Sequence, residues 1–117
     1  MSILVVGSVG LDSVETPAGK VASALGGSAI YFSTAASFFC NPIRLVAVIG
    51  DDFPQEHLHF LQNRGVDLEG LERVEGGKTF RWGGDYTRDL NSAVTLFTDL
   101  NVYGEFDPKL PDTYQNT

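Results

Sequence analysis

Two nearly continuous apolar runs, Ile3-Leu4-Val5-Val6 and Ile43-Arg44-Leu45-Val46-Ala47-Val48-Ile49, each end at a glycine, Gly7 and Gly50. Runs of this kind, rich in β-branched residues and lacking regular polar alternation, are typical of strands covered on both faces in parallel sheets. Both are therefore expected to be buried strands, the first of them central. Between them, Gly27 to Phe39 reads as a helix. Ile30, Phe38 and Phe39 give it bulk, and Ala29, Ser33, Ala35, Ala36 and Ser37 let it approach a sheet closely. Asn41-Pro42 ends it, because a residue before proline avoids the helical region. A strand, an excursion, a helix and a second strand imply a layered α/β core with a mostly parallel sheet.

The excursion, residues 8 to 25, has no helical stripe and is punctuated by Pro17 and Gly19, so two short strands joined by a turn are expected there. A second helix is expected from Asp52-Phe53-Pro54 through His57 to Asn63, closed by Gly65. Residues 71 to 106 read as strands: Thr79-Phe80-Arg81-Trp82 alternates, and Ala93 to Phe97 is rich in β-formers. The tail from Asp107 to Thr117 carries no core signal.

The chain's 117 residues suit one domain, and 43% hydrophobic with 20% charged residues is ordinary for a globular protein. Eight basic against 15 acidic residues give a formal charge of −7, which argues against nucleic acid or an anionic membrane as partner. The most apolar stretch, Ala29 to Cys40, is too short and too interrupted to span a bilayer. The first residues lack the features of a signal peptide, so the cytoplasm is the default location. Cys40, the one cysteine, reads as a packed thiol without chemistry.

Several residues carry candidate chemistry. Gly7-Ser8-Val9-Gly10-Leu11-Asp12 follows a strand but lacks the third glycine and immediate helix of a dinucleotide-binding fingerprint, which leaves a nicotinamide oxidoreductase poorly supported. Asp12 can accept hydrogen bonds from two neighbouring hydroxyls, each contributing about 1.5–3 kcal/mol, or can be a turn aspartate. Gly26-Gly27 reads either as a hinge with bare amides facing a ligand or as a helix entry needing unusual backbone angles. Asp51-Asp52 read first as capping charges for the helix near Pro54. His57 and His59 face different sides of their helix, with no further ligand at metal-binding spacing. Trp82 and Tyr86 can stack on a ring or cover an interface.

In order and spacing, Val6-Gly7-Ser8 with Asp12, Leu25-Gly26-Gly27-Ser28-Ala29, Val46-Ala47-Val48-Ile49-Gly50-Asp51-Asp52, Gly65-Val66-Asp67 and Lys78-Thr79-Phe80 resemble the ribokinase-like, or PfkB, family of carbohydrate and nucleoside kinases. The resemblance covers nearly the whole chain, but only the N-terminal part of a family member. It implies a ribokinase-like layered core with a small β lid built from about 8–25 and 71–106, the C-terminal nucleotide-binding part being absent. It implies substrate contacts at Asp12, Gly26, Gly27 and Tyr31, the last standing where the family commonly has asparagine. ATP and Mg2+ are implied for a complete parent and neither for this chain alone. The family's catalytic Gly-Ala-Gly-Asp motif is missing, and Gly83-Gly84-Asp85 does not replace it because no apolar helix follows. The reading is thus the acceptor half of a kinase for a sugar or nucleoside hydroxyl, inactive as this isolated chain. The alternative is a noncatalytic binding or oligomerisation module. Partners left open are a second copy through the lid strands and a missing C-terminal half.

Overall fold

A computed structural model describes residues 2–89, 92–115 and 117. Met1, beside the first expected strand, and positions 90 and 91 of the second expected strand block lie outside the described residues. The chain runs β1 (Ile3–Val6), β2 (Gly10–Thr16), β3 (Gly19–Gly26), α1 (Ser28–Ala36), β4 (Ile43–Gly50), α2 (Gln55–Asn63), β5 (Val66–Val74), β6 (Phe80–Asp89) and β7 (Ser92–Asp99). A parallel sheet has the order β1-β4-β5; a second, mixed sheet has the order β3-β2-β6-β7.

β4 is the centre of the first sheet, and its apolar run explains why. Ile43, Leu45, Ala47 and Ile49 face one side and join a core cluster with Ile30 of α1 and Leu61 of α2. Val46 and Val48 face the other side and are equally buried. Tyr114 helps to cover that second face: a Cβ on Gly70 would meet its ring and the Val46 side chain, at 2.7 and 3.1 Å. The Tyr114 hydroxyl accepts a hydrogen bond from the Gly70 amide at 3.0 Å and reaches the Asp67 carboxylate at 2.9 Å. Burial above all, and the neighbouring Asp67 and Glu69 charges, push this phenol up to about 12, against the opposing bond from Gly70. It therefore stays protonated, able to donate to Asp67, across the whole neutral range.

In the second sheet, β2 and β3 form the expected hairpin, with Thr16 paired to Gly19 and the Ala18 amide donating to Thr16 Oγ1 at 3.2 Å. β6 then lies parallel to β2, with Gly10 opposite Phe80 and Asp12 opposite Trp82. Among the described residues, no helix is long and apolar enough to cross a membrane.

Five details differ from the sequence reading. β1 is an outer strand, paired among the described strands only with β4, and Val6 is 52% exposed; its composition matches an interior strand, but nothing described lies beside its free edge. α1 ends at Ala36 rather than Phe39, leaving Phe38 and Phe39 beyond it on the surface at 71% and 88% exposure. Residues 71–74 complete β5 in the first sheet, so the later strands of the second sheet begin only at Phe80. Residues Asn101–Glu105 form a 3-10 turn rather than strand. The tail is docked through Tyr114, which local composition did not signal.

Replacing Tyr114 by alanine is expected to lower stability by about 3–5 kcal/mol through loss of a buried aromatic ring. Tyr114→Phe should lower it by about 1–3 kcal/mol through the abandoned Gly70 amide. Denaturant unfolding monitored by circular dichroism measures both, and a wild-type midpoint for Tyr114→Ala would contradict the docking.

Candidate functional site

The site is assembled where β1 passes into β2 and where β3 passes into α1. Ser8 and Ser28 hold these two turns together reciprocally: the Ser28 amide donates to Ser8 Oγ at 2.9 Å, and the Ser8 amide donates to Ser28 Oγ at 3.3 Å. The Ala29 amide donates to the Ser8 carbonyl at 3.0 Å, and the Ile30 amide to the Gly27 carbonyl at 3.1 Å. The amides at the start of α1 are therefore engaged within the protein. These are the amides of Ser28, Ala29 and Ile30, and the Tyr31 amide joins them by donating to the Gly27 carbonyl at 3.1 Å.

The paired glycines have separate steric reasons. Gly27 adopts φ +100°, and a Cβ there would lie 2.4 Å from the Ser8 carbonyl oxygen, so neither backbone conformation nor space admits a side chain. Gly26 yields its Cβ space to Asp12: a Cβ would sit 2.2 Å from Oδ2 and 2.8 Å from Oδ1. The Asp12 carboxylate thus rests against bare backbone.

Asp12 lies on β2, next to a register shift between it and Val14, and is 9% exposed. Its Oδ2 accepts a hydrogen bond from the Tyr31 hydroxyl at 3.0 Å. Burial raises its carboxyl above the ordinary range, and the Tyr31 bond opposes this without cancelling it. Tyr31 is likewise raised, by burial first, then by the Asp12 charge and hydrogen bond and by the nearby Tyr86. The Tyr31 ring is largely exposed while its hydroxyl turns inward. Asp12, Gly26, Gly27 and Tyr31 are brought together, as the sequence reading grouped them. Trp82 sits across the β2–β6 pairing from Asp12, with its indole over Gly84, where a Cβ would come within 2.2 Å of the ring.

Tyr31 also belongs to a cleft of about 780 Å³ between α1 and α2, whose other walls include Leu25, Phe38, His57 and Phe60. Asp12 is not among the residues lining that cleft.

Asp51 and Asp52 behave differently from the capping expectation, and α2 has no side-chain cap. Asp51 accepts from the Gly76 amide at 2.6 Å and pairs with Arg73 at 3.3 Å. Asp52 accepts from the Thr79 amide at 2.8 Å and pairs with Arg81 at 2.9 Å, and Arg81 also donates to Ser23 Oγ on β3. Asp51 ties the end of β4 to β5 and the turn after it, and Asp52 ties it to the entry of β6, an arrangement set by residues over 20 positions away. Asp85 accepts from the Thr87 amide within β6, and no apolar helix follows it.

Among the described residues, no group of three or more His, Cys, Asp and Glu is placed to hold a metal ion. With the α1 amides engaged and proline at the α2 N-cap, neither helix start is organised as a phosphate cradle. Among the described residues, none are arranged as a nucleotide-magnesium site.

No protein-family model matches the chain. It is 32% identical over 76 residues to the cytidine kinase of Thermococcus kodakarensis, covering 65% of this chain and 27% of that protein. The structure of the Methanocaldococcus jannaschii nucleoside kinase, an archaeal member of the ribokinase family, superposes with a TM-score of 0.73 at 18% identity, covering 95% of this chain and 42% of the other. The Burkholderia thailandensis nucleoside kinase in complex with ADP-inosine gives a TM-score of 0.70 at 15% identity, covering 90% and 39%. The chain thus carries the ribokinase-like fold, as its N-terminal part, and spans less than half the length of each of these proteins.

Asp52 supplies a pH prediction. Burial acts to raise its carboxyl, but the hydrogen bonds from Thr79 and the bond and charge of Arg81 outweigh it, leaving the group below 3.8. The unfolded chain then takes up this proton first, so the stabilisation is present above 3.8 and is lost as pH falls through the lowered value. Asp52→Asn should be less stable than wild type at pH 7, with the difference closing as pH falls toward 3. A constant difference across paired urea titrations at these pH values would contradict this.

Proposed function

We propose that this ribokinase-like chain is the acceptor-binding half of an ATP-dependent kinase, holding a sugar or nucleoside whose hydroxyl receives the phosphoryl group. The observation that carries the reading is Asp12: a buried carboxylate against the bare backbone of Gly26, with an oxygen, Oδ1, that has no hydrogen-bond partner among the described residues. An acceptor oxygen of this kind, on a buried residue and left open by the protein, is satisfied by a ligand hydroxyl. In this reading Gly27 is the pivot on which the second sheet, acting as a lid, closes over the bound molecule. Closure excludes water from the transfer.

Phosphoryl transfer further requires a positioned base, donors for the developing charge and magnesium-bound nucleotide. In the complete parent these belong to the C-terminal part, and the 117-residue chain by itself transfers nothing. Its expected behaviour is weak binding of sugars or nucleosides, abolished in Asp12→Asn, together with no ADP release from ATP in a coupled assay. Turnover by this chain, or binding indifferent to Asp12→Asn, would overturn the reading.

A second reading draws on β7, an outer strand of the second sheet that exposes Val94, Leu96 and Phe97. Such an edge favours pairing with another copy of the same strand. Sedimentation equilibrium should then show a dimer that Val94→Lys converts to monomer. A wild-type monomer at every concentration would remove this reading.

A further inference from the structure

Asp12 has two carboxylate oxygens, and they are in different situations. Oδ2 accepts the Tyr31 hydroxyl at 3.0 Å and lies closest to the backbone of Gly26, where a Cβ would approach it to 2.2 Å. Oδ1 has no partner among the described residues, on a residue that is 9% exposed. Tyr31 reaches Asp12 from the first turn of α1, whose start is fixed by the Ser8–Ser28 bonds, so its phenol is delivered from a rigid element.

We infer that the Tyr31 phenol stands in for a ligand hydroxyl on Asp12, so that this site grips its polyol through one hydroxyl at Oδ1 instead of through a neighbouring pair. This inference rests on the acceptor-binding reading of the site and specifies its selectivity. A carboxylate with both oxygens open selects a vicinal diol, because both hydroxyls gain a charge-assisted bond. With Oδ2 bonded to Tyr31 on one side and packed against the Gly26 backbone on the other, a second ligand hydroxyl finds no equivalent acceptor, and its removal has little effect. Tyr31 is thereby a specificity-determining residue: it widens the acceptor class to molecules carrying a single well-placed hydroxyl, deoxy sugars and deoxynucleosides included.

The test compares the whole chain with Tyr31→Phe, which keeps the ring and removes the hydroxyl. Ligand-observed NMR titrations use methyl β-ribofuranoside and its 2-deoxy and 3-deoxy analogues. In the wild type, deleting one hydroxyl should weaken binding about tenfold or more, the size of a hydrogen bond to a charged group, and deleting the other less than about threefold. In Tyr31→Phe, both deletions should cost about tenfold, because Oδ2 has become available. Equal losses for both analogues in the wild type, or the same pattern in both proteins, would overturn the inference while leaving Asp12 as the binding group.

A readout without ligand accompanies it. The Asp12 carboxyl, followed by carbon NMR, should titrate at higher pH in Tyr31→Phe, because the bond that lowers its pKa is gone. An unchanged midpoint would mean that the phenol does not occupy Oδ2 in solution, and the inference falls. If none of the three ribosides binds, or if Asp12→Asn leaves binding intact, the acceptor-binding reading fails and the inference falls with it.

Discussion

Ser8 and Ser28 exchange hydrogen bonds in both directions across the junction of the two sheets, each side chain satisfying the other residue's amide. Without them, an amide at the start of α1 and one in the turn before β2 would lack partners at a place where Gly27 already holds a left-handed backbone. The junction fixes where α1 starts, and hence where Tyr31 points; it also fixes where β2 leaves the core, and hence where Asp12 lies. The contact between those two side chains follows from it. Gly26 completes the arrangement by leaving room for the carboxylate.

The electrostatics of Asp52 and Asp12 run in opposite directions. Asp52 is held ionised by Thr79 and Arg81 and serves the fold, linking the end of β4 to β6. Asp12 is held against its preference by burial, with a phenol as its one partner among the described residues. A stabilised carboxylate has its needs met internally, whereas a destabilised and half-satisfied one is a more natural binding group. That contrast separates Asp52, which serves the fold, from Asp12, the functional candidate.

Much of the architecture was readable from local pattern. The β4 run announces burial on both faces, Pro17 with Gly19 marks the β2–β3 turn, and Pro54 and Gly65 bracket α2. The grouping of Asp12, Gly26, Gly27 and Tyr31 was also legible, through family resemblance more than through spacing. What escaped was set by distant partners. The apolar pattern of β1 fits an inner or an outer strand equally well, because composition records burial and not which edges are paired. Asp51 and Asp52 sit before a helix, where charges ordinarily cap, yet donors at Arg73, Gly76, Thr79 and Arg81 claim them. Tyr114 stands in a polar tail, and only the bare surface at Gly70 shows what its ring covers. Phe38 and Phe39 were expected as bulk on the helix, but the helix ends at Ala36 and both stand on the surface.

The account depends most on Asp12 receiving a ligand hydroxyl beside Gly26 and Tyr31. Chemical-shift mapping of the isotopically labelled chain during titration with ribosides and nucleosides addresses it directly. The account predicts saturable shifts concentrated at Asp12, Gly26, Gly27 and Tyr31, which disappear in Asp12→Asn while the fold is retained. Shifts confined to the α1–α2 cleft at Phe38, His57 and Phe60, or none at all, would contradict it.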